Sequence, residues 1–323
     1  MKKISLIVSI VFFVSVSYGQ VYDNVGTETQ ADTTEIEVGV LDAIRPPIDH
    51  IVEIHPYLDT YKPMDLAYIR IDDILYSRLI WSVIDLREKI NHPLYFPTET
   101  KGNWKSLMQA ILDATTDSSE ANPNPLRVYK DEYLTTPYAM EGLQNNMGQT
   151  SIEPGIDEYG NFTGEDKVIF VPWGPREVFQ YHLKDMYIID KQRSVMEPRL
   201  MAVAPMFWFE PINPAGTYVE ENYDDDMPAV PLRRWRRYGW LYFKEMRPML
   251  AVTNVFNEQN NAQRRTYDDI FAQRRFSSYI NIEENRHDNR PIAEYIVNGM
   301  DQRLEADAIK EKIRYKEHDM WEF

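Results

Sequence analysis

The stretch that decides the fold is Leu200-Met-Ala-Val-Ala-Pro-Met-Phe-Trp-Phe209, a run of apolar and aromatic residues interrupted by one proline. Its β-branched and aromatic content predicts a strand, and the proline predicts an edge or an interruption because it has no N–H to donate to a neighbouring strand. Similar runs over 126–129, 168–173 and 240–243 predict further strands. Polar residues over 141–166 and 213–231 predict long loops between them.

Helical periodicity predicts a buried helix ahead of this sheet. Between Asp72 and Ile90, apolar residues recur at the three- and four-residue spacing of one helix face. Asp72 or Asp73 can cap the start of this helix, and Pro93 follows its end. A second helix is predicted over 104–114. The chain upstream of the sheet is therefore predicted to be helical.

The C-terminal part of the chain is predicted to be helical again, with a capped start at Asp268 and a final helix near 306–316. Aligning Asp72 with Asp268 reveals an internal similarity, which indicates either a duplicated capped helix or two helices that obey the same capping rules. The predicted fold class is α+β: an N-terminal helical region, a central sheet of short, mostly antiparallel strands, and C-terminal helices. The identical positions are Asp72, Asp73, Ile74, Arg78, Ser82, Ile84 and Glu88, against Asp268, Asp269, Ile270, Arg274, Ser278, Ile280 and Glu284.

The N-terminus has the pattern of an export signal. Lys2 and Lys3 precede an apolar run over 4–16, and Ser17-Tyr18-Gly19 supplies the small residues that signal peptidase reads. We expect a signal peptide over 1–19, cleaved after Gly19. An uncleaved membrane anchor is the alternative, although the run is shorter than the roughly 20 residues that a bilayer span requires. The mature protein is therefore expected to be exported and soluble.

Residues 20–55 are predicted to form a disordered or extended arm, because they are rich in Thr, Glu, Asp and Gly and then in proline. Tyr57 and Tyr61 could pin this arm to a neighbouring protein, and a solvated linker is equally consistent with the sequence. The folded region is expected over 56–323, with a sub-boundary near residue 150 as an option.

The net charge, the absence of cysteine and the aromatic content limit the classes of function that the protein can have. A net charge of −16 argues against nucleic acid as a general partner, because binding phosphates requires a cationic face. The chain has no cysteine, which excludes disulfides, cysteine-based zinc sites and thiol catalysis. A lipid anchor beside the cleavage site also requires cysteine, so acylation there is not expected. Twenty-one tyrosines, thirteen phenylalanines and seven tryptophans serve either protein contacts or the core.

The sequence shows no catalytic or cofactor-binding pattern. The six histidines do not have the spacing that places two metal ligands on one helix face. No nucleophile elbow, Walker loop or glycine-rich dinucleotide turn is present. Asp224, Asp225 and Asp226 supply oxygen ligands of the kind that calcium prefers, but without EF-hand spacing. A solvated acidic loop is the simpler interpretation, so no metal ligands are predicted there. The sequence likewise predicts no catalytic residues and no cofactor-binding residues.

Arginine runs are the best candidates for an interaction surface. Arg233-Arg234-Trp235-Arg236-Arg237 closely follows the acidic triplet, and opposite charges across an interface set partner choice and orientation. If the acidic loop of one subunit met the arginines of the next, the contact would close a ring where the rotation permits. An ordinary surface strand with local ion pairs is the alternative. Four further candidates, Arg264, Arg265, Arg274 and Arg275, flank Asp268 and Asp269 and could pair with them at helical spacing.

Several longer segments resemble one protein family. They are 81–95 (Trp81-Ser-Val-Ile-Asp-Leu-Arg-Glu-Lys-Ile-Asn-His-Pro-Leu-Tyr), 190–197 (Asp190-Lys-Gln-Arg-Ser-Val-Met-Glu), 255–261 (Val255-Phe-Asn-Glu-Gln-Asn-Asn) and the C-terminal region from Ala262, with its Arg264-Arg265 and Arg274-Arg275 pairs. Over roughly residues 60–323 the chain resembles the gliding-motility protein N family (GldN/PorN) of the type IX secretion apparatus.

The resemblance implies a non-catalytic periplasmic subunit of the secretion and gliding machinery. The implied partners are an outer-membrane lipoprotein similar to GldK/PorK, further copies of the chain in a ring, and the motor components similar to GldL/PorL and GldM/PorM. Association with the outer membrane would be indirect, through the lipoprotein. No nucleic acid and no cofactor are expected, and the family marks no catalytic residues. The alternative is an exported enzyme, such as a hydrolase, whose site forms only in the fold.

Overall fold

The computed structural model describes residues 61–101, 104–116, 125–156, 162–209, 220–221, 230–231, 234–257 and 264–319. All of them belong to one unit, Pro56–Phe323. The predicted signal peptide over 1–19 and the whole predicted arm over 20–55 lie outside the described residues, so these boundaries stay predictions. Tyr61 is half exposed, and the chain from there to residue 70 runs without regular secondary structure.

Thirteen strands and seven helices are described in this part of the chain. The strands are β1 (Ile74–Asp85), β2 (Val128–Tyr129), β3 (Gly148–Ile156), β4 (Phe162–Pro172), β5 (Val178–Asp190), β6 (Val195–Phe209), β7 (Glu220–Glu221), β8 (Val230–Pro231), β9 (Arg234–Arg237), β10 (Trp240–Tyr242), β11 (Asn254–Val255), β12 (Arg265–Thr266) and β13 (Tyr279–Glu283). The helices are α1 (His92–Tyr95), α2 (Leu107–Thr116), α3 (Met140–Asn146), α4 (Phe243–Val252), α5 (Tyr267–Ala272), α6 (Ile292–Tyr295) and α7 (Gly299–His318).

One antiparallel sheet organises the fold. Its strand order is β13-β1-β5-β6-β10-β2, and β9 pairs with the end of β6 beyond β10. The hairpin between β5 and β6 turns over residues 191–194. There the Asp190 carboxylate accepts hydrogen bonds from the Gln192 N–H at 3.0 Å and the Arg193 Nε at 2.9 Å. Ser194 has a φ of 50°, which closes the turn so that β6 can return along β5.

Both faces of this sheet are covered. On one face, Ile84, Leu183, Val203 and Leu241 pack with residues of α2, α4 and α5 in the main core. Further along the same face, Ile80 packs with the buried side of α7. On the opposite face, Trp81, Ala202, Ala204 and Trp240 form a third cluster with residues of the 129–134 loop region.

The α+β fold class is confirmed, with a mostly antiparallel sheet and C-terminal helices. The predicted helix over 72–90 is wrong, because β1 occupies 74–85. Ile80 and Ile84 face one side of the sheet and Trp81 and Val83 the other, and all four are buried. A strand buried on both faces has no polar alternation, so its apolar run also satisfies helical spacing.

The internal similarity is therefore not a duplicated helix. Its second copy spans the short helix α5 and the strand β13. In the sheet, β13 pairs with β1 itself, with Ile280 opposite Ser82. The helix α5 begins after Thr266, whose hydroxyl accepts the Asp269 N–H at 3.2 Å, and so the predicted cap at Asp268 is also wrong.

Strand lengths and loops differ from the expectations in two places. The strands β1, β5 and β6 contain 12, 13 and 15 residues, so the centre of the sheet is not made of short strands. Much of the expected loop over 141–166 is ordered as the end of α3 and the hairpin of β3 and β4. The helices predicted at 104–114 and 306–316 are present as α2 and the longer α7.

Candidate interaction surface

The predicted arginine run forms an edge strand. The four residues of β9 pair with Met206–Phe209 of β6 on one side only, and all four are exposed. Within the described residues, no strand pairs with the other side of β9. An unpaired strand edge is a template for another extended chain.

The direction of the free hydrogen-bonding groups follows from the register. The Tyr238 N–H donates to the Pro205 carbonyl of β6 at 3.0 Å. Because successive residues of an antiparallel strand point their N–H and C=O groups to opposite sides, Arg236 and Arg234 bond towards β6, whereas Trp235 and Arg237 face outward. The Asn146 Nδ2 donates to the Arg237 carbonyl at 2.9 Å. Within the described residues, the outward-facing backbone N–H and C=O groups of Trp235 remain open to an external partner.

Aromatic rings fix the position of Trp235. Its indole stacks on Trp208 of β6, with ring centroids 5.3 Å apart and an angle of 10° between the planes. Phe179 packs edge-on against Trp208 at 5.1 Å. Trp235 is nevertheless 44% exposed. A rigid aromatic with one open face contributes contact area at low entropic cost, as at many protein interfaces.

Two arginines of β9 are held by aromatic rings on opposite faces of the sheet. The Arg236 guanidinium lies 5.4 Å from the Trp173 ring centre and 5.3 Å from that of Phe209. The Arg237 guanidinium lies 5.0 Å from the Trp240 ring centre. Stacking orients the plane of a guanidinium while its N–H groups stay available for carboxylates.

No carboxylate of the described residues forms an ion pair with Arg234, Arg236 or Arg237. The strand therefore presents concentrated positive charge on a chain whose net charge is −16. We call Arg234–Arg237, with Trp208 beneath Trp235, the basic edge. Chemically, it is suited to hold an extended acidic segment by backbone hydrogen bonds and charge pairs.

Some predicted interaction residues lie outside the described residues. These are Arg233 and the acidic triplet Asp224, Asp225 and Asp226. The described residues on either side of the triplet form a small hairpin, in which Glu220 pairs with Pro231 and Glu221 with Val230. In the sequence, the triplet begins three residues after the end of β7, and the basic edge begins three residues after the end of β8.

Arg274 is placed in an intramolecular ion pair. Its Nη2 and Nη1 lie 2.6 and 3.2 Å from the two carboxylate oxygens of Asp185, which is only 1% exposed. The neighbouring Arg275 is exposed. The two arginines of this predicted pair therefore differ in role. Arg274 neutralises a buried carboxylate of β5, whereas Arg275 faces solvent.

Arg264 and Arg265 lie at β12, where Arg265 is paired with Val255 of β11. The expected charge pairs of these arginines with Asp268 and Asp269 do not form. Asp268 accepts two hydrogen bonds from Arg247 of α4, at 2.9 and 3.0 Å, and both residues are buried. Asp269 instead accepts from the Thr266 N–H at 3.1 Å and so caps α5. Asp268 thus links α5 to α4, and Asp269 stabilises the start of α5.

The structure also identifies two basic residues that the sequence analysis did not single out. Lys184 of β5 is 6% exposed, and its Nζ donates to the Glu132 carbonyl at 2.9 Å. The Nζ also lies 5.3 Å from the Trp81 ring centre and 4.8 Å from that of Tyr133. Burial lowers the pKa of Lys184. Lys184 therefore ties the loop over 131–134 to the sheet.

His182 lies two residues away on the same face of β5. Burial, reinforced by the charge of Arg237, lowers the pKa of His182 to about 4. The histidine is thus neutral at physiological pH. Polar residues at alternate positions of the apolar run over 178–190 were the available sequence signal for this strand.

Neither a metal site nor a membrane span is found in the part of the chain that the structure describes. In these residues, no group of three or more His, Asp and Glu side chains is arranged to hold a metal ion. None of the described helices is both long enough and apolar enough to cross a bilayer. An open cavity of about 920 Å³ lies between α2 and α4 beside the ion pair of Lys105 and Asp113.

A comparison with models of protein families identifies a match that covers most of the chain. A family model described as "Gliding motility associated protein GldN" matches residues 69–322. The matched range includes the whole seven-stranded sheet, the basic edge and α7. A search of curated proteins finds no match to the chain.

Proposed function

The chain belongs to the GldN family of gliding motility associated proteins and is thus a component of the gliding and type IX secretion machinery, and from that premise we propose that it acts there as a non-catalytic structural subunit. The observation that carries the proposal is the match over 69–322, which spans nearly all of the described fold. The work of such a subunit is to hold other components in place, so its function depends on contact surfaces.

The principal partner in this proposal is an outer-membrane lipoprotein of the GldK/PorK kind. The printed sequence has no cysteine, the residue that carries the lipid of bacterial lipoproteins, which supports attachment to the membrane through a lipidated partner. Further copies of the chain complete a ring with that lipoprotein. Motor components similar to GldL/PorL and GldM/PorM lie within reach of the ring.

Localisation follows from the same proposal. The export signal over 1–19 directs the chain to the periplasm, and the lipoprotein holds it at the inner surface of the outer membrane. The basic edge supports a contact function, since an exposed strand edge bearing cations and a stacked tryptophan is suited to protein recognition.

Co-purification from a detergent-solubilised envelope tests the proposal. In cells that contain the GldK-like lipoprotein, the mature chain is expected to elute with it in a large complex. In cells lacking the lipoprotein, the chain is expected to become soluble in the periplasm. A chain that fractionates identically in both strains would contradict the proposal.

A turnover screen separates this proposal from the alternative of an exported hydrolase. The purified mature chain is expected to leave peptide, ester and glycan substrates unchanged over hours at micromolar concentration. Reproducible turnover of one substrate class, abolished by a point substitution, would favour the enzyme instead.

A further inference from the structure

A row of aromatic rings crosses three neighbouring strands and ends at the basic edge. Phe179 of β5 packs edge-on against Trp208 of β6, with ring centres 5.1 Å apart, and Trp208 stacks on Trp235 of β9 at 5.3 Å. Trp235 lies at the outer end of this row and is 44% exposed. A strand added beside β9 would therefore continue the row if it placed an aromatic side chain next to Trp235.

The arginines of the basic edge are divided between the two faces of the sheet. Side chains alternate along a strand, so Arg234 and Arg236 lie on the face of Phe209, whereas Arg237 lies on the face of Trp235. None of these arginines forms an ion pair with a carboxylate of the described residues. The complement of the edge is thus an acidic side chain at three positions, two on one face and one on the other.

The backbone of β9 offers hydrogen bonds on its outer side. Trp235 and Arg237 face away from β6, because the Tyr238 N–H donates to the Pro205 carbonyl of that strand. The Arg237 carbonyl already accepts a bond from Asn146. In the described structure, this leaves the N–H and C=O of Trp235 and the N–H of Arg237 for a partner.

The direction of an added strand follows from the sheet. Every strand pair described in the seven-stranded sheet is antiparallel. In an antiparallel addition, the residue opposite Trp235 exchanges two backbone hydrogen bonds with it and places its side chain on the same face. The aromatic row and the free backbone groups therefore specify the same position of the partner.

We infer that the basic edge binds an extended segment of a partner protein, added antiparallel to β9, whose side chains read acidic, acidic, aromatic, acidic from the N- to the C-terminal end. The first two acidic residues lie opposite Arg237 and Arg236, the aromatic residue opposite Trp235 and the last acidic residue opposite Arg234. The inference rests on the proposed function and deepens it, because it names the chemistry by which this structural subunit recognises another protein.

Charge complementarity favours a segment of a different protein over a second copy of this chain. The chain carries a net charge of −16, so two whole copies repel each other, and the three arginines are a local exception. A short acidic segment supplies the opposite charge without that repulsion. In such a contact the backbone bonds contribute affinity, while the charge pairs fix partner choice and register.

Binding of synthetic peptides to the purified mature chain tests the inference. The probe is a short fluorescein-labelled peptide with the core Glu-Asp-Phe-Glu between glycine and serine residues, and fluorescence anisotropy is expected to show saturable binding. The matched control peptide has the same sequence and charge but carries an N-methyl group on the phenylalanine. This group removes the N–H that donates to the Trp235 carbonyl, so binding is expected to weaken by about tenfold. No binding of the probe, or equal binding of both peptides, overturns the inference.

Substitutions in the chain provide a second readout. Arg236→Gln with Arg237→Gln is expected to weaken binding of the probe by roughly tenfold. The control is Arg286→Gln with Arg303→Gln, which makes the same change in net charge at exposed positions and is expected to bind normally. Arg234→Gln, at an exposed position of β9, is the milder variant, and urea unfolding verifies that each variant is folded. Equal affinity of the edge and control variants contradicts the inference.

Photo-cross-linking locates the bound peptide. With benzoylphenylalanine in place of phenylalanine, mass spectrometry is expected to find the label at Trp208 or within 234–237. Label spread over other basic positions overturns the inference, because the peptide would then be held by charge alone.

Two further measurements separate the other occupants. Vesicles of phosphatidylglycerol that bind through Arg236 and Arg237 when the probe does not would assign the edge to an anionic membrane surface. Self-association that is lost in Arg236→Gln with Arg237→Gln, again without binding of the probe, would assign it to a second copy. Both results overturn the inference. A failure of the proposed function is distinct, since it is read from the envelope association of the unsubstituted chain with the lipoprotein.

Discussion

Replacement of Arg274 by alanine tests whether this arginine stabilises the fold or serves an external partner. Its guanidinium makes two bonds to Asp185, whose side chain is 1% exposed, while that of Arg274 is 28% exposed. Removing one partner of a buried ion pair costs about 3–5 kcal/mol, because the remaining charge is left without compensation. Since water reaches part of Arg274, we expect Arg274→Ala to lower the free energy of unfolding by about 2–3 kcal/mol.

Urea denaturation followed by tryptophan fluorescence measures this loss, and the slope of free energy against urea should not change. Arg275→Ala is the matched control, because Arg275 is adjacent and exposed, and its effect is expected to stay within about 0.5 kcal/mol. Replacing both charged residues, with Arg274→Met and Asp185→Leu, should recover much of the stability. If Arg274→Ala proves as stable as Arg275→Ala, the structural role argued for the ion pair is wrong.

Three further perturbations test the structure. Asp268→Asn leaves Arg247 buried without a counter-charge, so unfolding by urea should show a loss of about 3 kcal/mol. His182 has a folded pKa of about 4 against 6.5 unfolded, so its neutral form contributes stability that is present above pH 6.5 and lost as pH falls to 4. His182→Phe should therefore reduce the difference in stability between pH 7 and pH 4 by about 2–3 kcal/mol. Lys184→Met removes the bond to the Glu132 carbonyl, and limited proteolysis within 130–138 should become faster, with a stability loss of about 1 kcal/mol.

Each of these predictions has its own contrary result. Asp307 is exposed on α7, so Asp307→Asn is expected to leave the free energy of unfolding unchanged. An equal loss in Asp268→Asn and Asp307→Asn would mean that the buried ion pair of Asp268 and Arg247 does not stabilise the fold. For His182, a difference in stability between the two pH values that is the same in wild type and His182→Phe would contradict the buried neutral imidazole. For Lys184, unchanged cleavage of the 130–138 loop would show that other contacts hold it.

Sequence patterns could predict the presence of the sheet but not its longest strands. The run over 200–209 was recognisable because its β-branched and aromatic residues are contiguous, and it forms the end of β6. The strand β5 was not recognised, because Asp185 directly follows Lys184 and breaks the alternation of polar and apolar residues that marks a strand. Lys184 and Asp185 are accommodated by contacts with Glu132 and Arg274, which come from distant parts of the chain, and His182 is buried in its neutral form. No local rule reports such partners.

The candidate surface was predictable in part. Arg234–Arg237 stand out in the sequence by their composition alone, and the structure places them together on an exposed edge. The stacking of Trp235 on Trp208, and of Arg236 on Trp173, depends on the pairing of β9 with β6. The arginines at 264–275 look similar in the sequence, yet Arg274 turns inward to Asp185. A run of charged residues therefore predicts an interaction surface only when none of its members pairs with a buried residue of opposite charge.

The stoichiometry of the chain in the purified envelope complex tests the central claim most directly. Quantitative mass spectrometry of the complex isolated through the GldK-like lipoprotein would give the ratio of the two proteins, and mass photometry would give the total mass. If the chain is a structural subunit, we expect a fixed ratio of chain to lipoprotein, close to a ratio of small integers, and many copies of the chain in each complex. A chain present only in trace amounts, or recovered as a free monomer while the complex stays intact, would contradict the account.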